Sequence, residues 1–425
     1  MKRNTRTTAV VALALTTSMG LAACGRSAEP GGTADKGKAV SSGKATGTIS
    51  IWAMGAEGDK LPELAKEFEA ANPGVKVQVT AIPWDSAHDK FATAITAGKT
   101  PDAAMVGTTW MGEFAKQALD PTPSSIDKSV FFEGAQKTTE VGGTSYGVPW
   151  YVETRLVYYR KDLAARAGFT TLPTDWAGLK AMAKAMQTKA GAKWGINLQA
   201  GGTGSWQTIL PFAWSNGASV ATDDQKKFTF DTPEMAEAVK YYQSFFTDGI
   251  AAKQLPEGST EPSFANGSVP MFISGPWMMG AVEKVGGAGF KDKYGVMPMP
   301  KQKTATSFVG GSDLVVFKNS KNRDSAWKFI QWLSEPATQV KWYGLSTDLP
   351  SVKSAWQDPA LTADEKLAVF GKQLEDAKAP PAIATWEQVS AAFDTEMEKV
   401  TKSGLDPAAA LKAVQVKADS IGTGG

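Results

Sequence analysis

A chain of 425 residues with a single cysteine, Cys24, can form no disulfide within itself, so apolar burial and hydrogen bonding must hold its fold. The same count removes thiolate metal clusters. Hydrophobic residues, at 42%, are ample for more than one core, and the length points to two or three domains. No fixed-period repeat runs through the sequence, which argues against solenoids and propellers.

Cys24 closes the run Leu21-Ala22-Ala23-Cys24, which follows a basic head (Lys2, Arg3, Arg6) and an apolar stretch, Val10 to Leu15, too short for a permanent membrane span. The run resembles a bacterial lipobox. That resemblance implies a lipoprotein signal peptide over 1–23, a diacylated thioether at Cys24, and a mature chain lipid-anchored on the extracytoplasmic face of the cell membrane. Ordinary signal cleavage beside an incidental cysteine is the competing account. Residues 24–46, rich in Gly, Ser and Lys, read as a flexible tether. Three basic side chains leave with the leader and take the formal charge from +2 to −1, which makes nucleic acid a poor partner.

Beyond the tether, short strands alternate with amphipathic helices. Thr48 to Trp52 predicts a strand; Leu61, Leu64, Ala65, Phe68 and Ala71 then share one helical face until Asn72-Pro73-Gly74 stops it. Val75, Val77 and Val79 alternate as a second strand, and Ala103 to Val106 and Leu156 to Tyr159 predict two more. This β, α, β, α, β order argues for α/β layers around largely parallel sheets. Thr232-Pro233 predicts a capped helix start, and the stripes Val389, Phe393, Met397, Val400 and Leu411, Val414, Ala418, Ile421 predict a helical C-terminal part.

Fourteen tryptophans stand against one histidine. An indole is a rigid apolar plate with one donor, suited to stacking on the C–H face of a sugar ring. Trp327, Trp332, Trp342 and Trp356 lie in or beside helical stripes and read as packing. Trp52, Trp110, Trp150, Trp206 and Trp277 follow strands or sit in Gly/Pro-rich loops, where α/β folds place binding groups; for each of these, packing is the competing account. His88, within Trp84-Asp85-Ser86-Ala87-His88, has no nucleophile elbow to serve and reads as a solvated helix residue.

The blocks Thr48-Ile49-Ser50-Ile51-Trp52, Asn72-Pro73-Gly74-Val75-Lys76-Val77, Tyr146-Gly147-Val148-Pro149-Trp150, Tyr158-Tyr159-Arg160-Lys161-Asp162-Leu163, Phe264-Ala265-Asn266-Gly267, Ser274-Gly275-Pro276-Trp277 and Gly310-Gly311 occur in an order that resembles the extracellular solute-binding proteins of ABC importers, in the maltose-binding-like group. The resemblance runs from about Thr48 to Ile421. It implies a two-lobe α/β fold of the periplasmic-binding-protein type (type II), with a hinge and an interlobe cleft. Lobe 1 would comprise 47–152 plus 306–356, and lobe 2 would comprise 153–305 plus 357–425. Crossings would fall near Val152 to Thr154, Thr304 to Ser307 and Ser351 to Leu361. Trp277 falls on the family's Gly-Pro-Trp, whose indole stacks on ligand, and Trp386 sits where relatives place another platform. Glu153 matches an acid that accepts hydroxyl hydrogen bonds, and Glu57 and Asp59 occupy a loop that relatives use for polar contacts. Around Trp206 the segment Leu198 to Ser205 departs from the maltose binders, which carry an acid and a tyrosine there.

The implied function is capture of a sugar or oligosaccharide and its delivery to membrane permease subunits by a monomeric receptor that needs no cofactor or metal and catalyses nothing. Carboxylates fix sugar hydroxyls by charge-assisted hydrogen bonds, Gly310 and Gly311 permit close backbone approach, and Ser312 and Asp313 add polar contacts, with turn capping the alternative for Asp313. Two other readings stay open from residues alone. A secreted glycosidase would pair two carboxylates from Glu57, Asp59, Glu153 and Asp313, and a binder of a polyamine or peptide would use the same indoles and acids through cation–π contacts.

Overall fold

A computed structural model describes residues 37–424 except Glu257. The expected leader, Cys24 and the first part of the tether lie outside the described residues. The remainder of the tether is not free. Arg323 donates to the Lys38 carbonyl, the Ser41 amide to Asp324, and the Thr46 amide to Ser325, while Ala45 is fully buried. Backbone donors that find fixed acceptors on a helix start outweigh the low hydrophobicity that suggested flexibility over 37–46.

The strand Gly47–Met54 leads straight into the helix Gly55–Ala71, whose apolar face (Leu61, Leu64, Ala65, Phe68) is buried. Strand Val75–Ile82 returns parallel to the first, with Gly47 opposite Val75 and Met54 opposite Ile82, and Ala103–Gly107 pairs parallel on the other side. Helical crossovers enforce this parallel order. Beyond these three strands and the short parallel pairing of Ser307 and Phe308 with Ala377 and Lys378, the expectation of largely parallel sheets fails. Ser307–Val316 runs antiparallel to both Ala103–Gly107 and Val148–Thr154, because neither it nor Val148–Thr154 arrives by a helical crossover from its neighbour. Leu349–Pro350 and Ala377–Lys378 complete a seven-stranded sheet.

The second sheet has three antiparallel strands, Met271–Ser274, Leu156–Arg160 and Tyr294–Met297. The chain leaves the larger sheet at Arg155, where Val148–Thr154 gives way to Leu156–Arg160, and re-enters it at Ser307. Around the smaller sheet lie the later helices. Pro233–Thr247 starts at Thr232, whose hydroxyl accepts from the Met235 amide, and Pro407–Ile421 starts at Asp406, which accepts from the Ala409 amide. Each side chain satisfies one of the donors that a helix start leaves open.

Buried apolar residues form three clusters: one on the larger sheet (Ile49, Ile51, Phe91, Val315, Trp327), one among the helices (Leu179, Phe230, Tyr242, Leu411), and a third containing residues of both sheets (Val152, Val309, Tyr158, Phe272). Among the described residues, no helix is long and apolar enough to cross a membrane.

Candidate functional site

A cleft of about 810 Å³ opens between the two sheets, and each wall is built by a recognisable local rule. The first strand ends at Met54 and a helix begins at Gly55 (φ +53°), which places Glu57 in its first turn, facing the cavity. A Cβ on Gly55 would meet the Trp84 ring at 2.6 Å, so only a bare backbone admits that indole. The third strand ends in the single turn Thr108–Trp110, which brings Trp110 beside Trp84, ring centroids 6.1 Å apart and edge to face. On Val148–Thr154 the two-residue alternation sends Tyr151 and Glu153 into the cleft.

The facing wall carries the loop Gly202 to Gly204, the helix start Trp206 and Gln207, the turn at Trp277, and one face of the helix Trp386–Glu398. That face shows Glu387, Ser390, Asp394 and Glu398 at helical spacing, while Val389, Phe393 and Met397 are buried behind. Trp277 is 47% exposed, the largest exposed aromatic surface of the cleft. It packs against Gly275, where a Cβ would stand 2.0 Å from the ring, and the Arg155 guanidinium sits 4.6 Å from its centre. Arg155 in turn donates to Gln207 Oε1 at 2.5 Å and lies 3.6 Å from Glu153.

The carboxyls differ in state. Asp348 follows Thr347, a β-branched residue held at φ +67°. Burial first and the Glu57 charge second push its pKa up to about 7, against Ser346 and the Trp342 indole N–H, which donates to Oδ2 at 3.1 Å. Asp394 is also raised, chiefly by burial, although the Gly204 amide (2.7 Å), the Ser205 hydroxyl (2.7 Å) and the Trp206 amide (2.8 Å) all donate to it. It anchors the glycine loop and Trp206 to the last helices.

Of the residues singled out from sequence, Glu57, Trp110, Glu153, Trp206, Trp277, Gly310 and Gly311 line the cleft. The others do not. Trp52 packs on Phe91 at 5.6 Å with Lys90 above it, and Asp59 points to solvent from the outer side of its helix. Trp150 is 1% exposed and stacked on Trp342 at 4.5 Å, since alternation turns it away from the face that carries Glu153. Ser312 and Asp313 are fully buried beside a register shift, and Asp313 meets the Thr138 hydroxyl at 3.0 Å rather than capping a turn. Trp386 is buried and stands edge-on behind Trp206 at 5.2 Å, so it supports a plate rather than being one. The two glycines leave no room for a side chain: a Cβ on Gly311 would lie 2.1 Å from the Tyr151 carbonyl of the neighbouring strand, and one on Gly310 2.6 Å from the Phe308 ring. His88 is not simply solvated either, for it bonds Glu113 at 3.0 Å and stacks on Phe114.

Sequence reasoning passed over Trp84, Tyr151, Gln207, Asp348, Glu387, Asp394 and Glu398. Alternation from Glu153 would have found Tyr151, and the rule that picked out Trp110 after a strand applies equally to Trp84 after Pro83.

The sequence profile of the bacterial extracellular solute-binding proteins matches residues 53–340, more than half of the chain. The chain belongs to this family. The solute-binding protein is 32% identical to the sugar-binding protein MalE of Xanthomonas citri, whose structure superposes with a TM-score of 0.83 over 88% of this chain and 97% of that one. An ABC-transporter solute-binding protein of Thermotoga lettingae, solved with α-D-tagatose, gives 0.72 at 26% identity over 88% and 100%. The diacetylchitobiose-binding protein DasA of Streptomyces coelicolor is 28% identical over 73% of this chain and 74% of its own. These likenesses establish the two-lobe α/β architecture for the solute-binding protein, with its cleft between the sheets.

Proposed function

We propose that this protein is the substrate-binding lipoprotein of an ABC importer, which captures an extracellular sugar or oligosaccharide in the cleft, closes on it by hinge motion, and delivers it unaltered to the membrane permease. The observation that carries the reading is the half-exposed face of Trp277, which shares one cavity with the indoles of Trp84, Trp110 and Trp206 and with the carboxyls of Glu57 and Glu153. Flat apolar plates and charge-assisted acceptors in one cavity are what a ring with C–H faces and a hydroxyl rim requires. The relatives named for sugar, tagatose and diacetylchitobiose binding favour the same class of solute. Cys24, through its lipid, would keep the monomeric receptor at the membrane.

The glycosidase reading loses two of its four acids, since Asp59 and Asp313 stand outside the cleft. Trp277→Ala tests the sugar-binding reading. Removing a half-exposed plate costs little folding stability, whereas the affinity for the best saccharide of a mono- and oligosaccharide panel falls about 30-fold, roughly 2 kcal/mol. Calorimetric titration read beside a melting curve checks this. Unchanged affinity would return Trp277 to packing, and a product released from any saccharide would reinstate the enzyme.

A further inference from the structure

The Trp277 end of the cleft is arranged around one buried cation. Arg155, at the crossing between the sheets, does not itself line the cavity, yet its guanidinium meets three residues that do. Nη2 donates to Gln207 Oε1 at 2.5 Å and stands 3.6 Å from Glu153 Oε1, while the guanidinium carbon lies 4.6 Å from the centre of the Trp277 ring. The side chain is itself held in place. Phe308 packs 5.5 Å from the same carbon, and the Ser307 hydroxyl donates to the Arg155 carbonyl at 2.8 Å.

A guanidinium only donates, so the amide atom that meets it must be the oxygen. Gln207 is thereby turned. Its Nε2, with two N–H donors, lies 3.9 Å from where a Cβ on Gly204 would stand, in the glycine loop of the cleft wall. Without that contact a primary amide could present either end to the cavity, since its two ends are nearly the same in shape. Glu153 flanks the same guanidinium nitrogen and offers acceptors. Beside the Trp277 plate the cleft therefore presents an N–H donor and a carboxylate oriented by one side chain. A sugar ring carries neighbouring hydroxyls that each accept and donate, so one oxygen can take the amide while the next donates to Glu153. Two groups held in advance also spare binding the cost of ordering them.

We propose that Arg155 is a positioning residue for the sugar: it turns the Gln207 amide so that Nε2 donates to the solute, and it holds that donor beside the Glu153 acceptor and the Trp277 plate. The proposal rests on the sugar-binding reading and deepens it. Calorimetric titration of the full chain with glucose, galactose, maltose, cellobiose, trehalose and maltotriose tests it, in the wild type, Arg155→Met, Gln207→Ala and the double variant, each checked by melting curve. Arg155→Met lowers the affinity for the tightest of these sugars at least about 10-fold, the size of one hydrogen bond to a charged group. Gln207→Ala lowers it too. Because Arg155 acts through Gln207, its replacement costs at least about 3-fold less in the Gln207→Ala background than in the wild type, the non-additivity of residues in contact. Should the methionine variant not fold, Arg155→Gln takes its place in the cycle. A role confined to packing would lower the melting temperature without this coupling. Wild-type affinity in either single variant, or an equal loss in both backgrounds, overturns the assignment and leaves the sugar reading standing. Failure of all six sugars to bind the wild type overturns both.

Discussion

Asp313 is a carboxyl with nowhere to put its charge. It is fully buried on the long strand of the larger sheet, and the Thr138 hydroxyl is the polar side-chain contact it makes, so burial pushes its pKa from 3.8 up to about 8. The native state therefore keeps a proton that the unfolded chain releases near pH 4. Between those values the folded form binds more protons, and its stability falls as pH rises, by at most about 1.4 kcal/mol per pH unit. Asp348, raised to about 7, acts in the same sense over a narrower window. Asp313→Asn mimics the protonated acid and removes its contribution, leaving those of Asp348 and Asp394, so its urea midpoint should gain steadily on the wild type between about pH 5 and pH 8. Parallel pH profiles for the two proteins would mean that Asp313 titrates normally. Nothing in the sequence marks this residue as buried. Its neighbours Gly310 and Gly311 suggested polar contacts with a ligand, but a Cβ on Gly311 would meet the Tyr151 carbonyl of the adjoining strand and one on Gly310 the Phe308 ring, so packing alone also calls for glycine there.

Elements, rather than residues, decide how the cleft's far wall is held. The helix Trp386–Glu398 buries one stripe and turns Asp394 toward the glycine loop, where its two oxygens take the Gly204 and Trp206 amides and the Ser205 hydroxyl. A carboxylate borrowed from another helix thus does the work of an N-cap for Trp206–Ser215. Asp394→Ala should cost about 1–2 kcal/mol of stability and weaken sugar binding in addition, because the loop and the Trp206 plate lose their anchor. Asp394→Asn, which keeps an acceptor oxygen, should recover part of both. Urea melts and titration calorimetry read the two effects, and an alanine variant with wild-type affinity would show that Trp206 is placed by its edge contact with Trp386 alone. The buried stripe of this helix was legible, since Val389, Phe393 and Met397 repeat at helical spacing, and so were the strands at 47–54 and 75–82 and the cap at Thr232. What the opposite stripe faces was not legible, because that depends on where a distant glycine loop is brought. The strand that carries Glu153 shows the limit of motif matching. Trp150 stood out by residue type, yet a period of two sends Trp150 and Glu153 to opposite faces and puts Tyr151 in the cleft.

At the scale of the whole molecule, two lobes joined by a hinge could unfold separately or together. The packing favours together. The third apolar cluster draws Val152, Val309 and Leu349 from the larger sheet and Tyr158, Phe272 and Tyr294 from the smaller one, so neither can melt without exposing residues that the other needs covered. Phe308, on the long strand of the larger sheet, stands edge-on to Trp206 at 5.4 Å and belongs to the helical cluster. At the crossing, the Ser307 hydroxyl donates to the Arg155 carbonyl at 2.8 Å, and the Arg155 guanidinium lies over the rings of Trp277 and Phe308. Scanning calorimetry of the free protein should accordingly give one transition whose calorimetric and van't Hoff enthalpies agree. A sugar held by residues of both walls adds to the stability of that single unit, by about 2.7 kcal/mol at a free concentration 100 times its dissociation constant. The transition should move upward as a whole and stay unsplit. Two transitions of which the sugar shifts only one would place the binding energy in a single lobe, and a cleft that closes by bringing Glu57 and Trp110 toward Trp206 and Trp277 would then be the wrong picture.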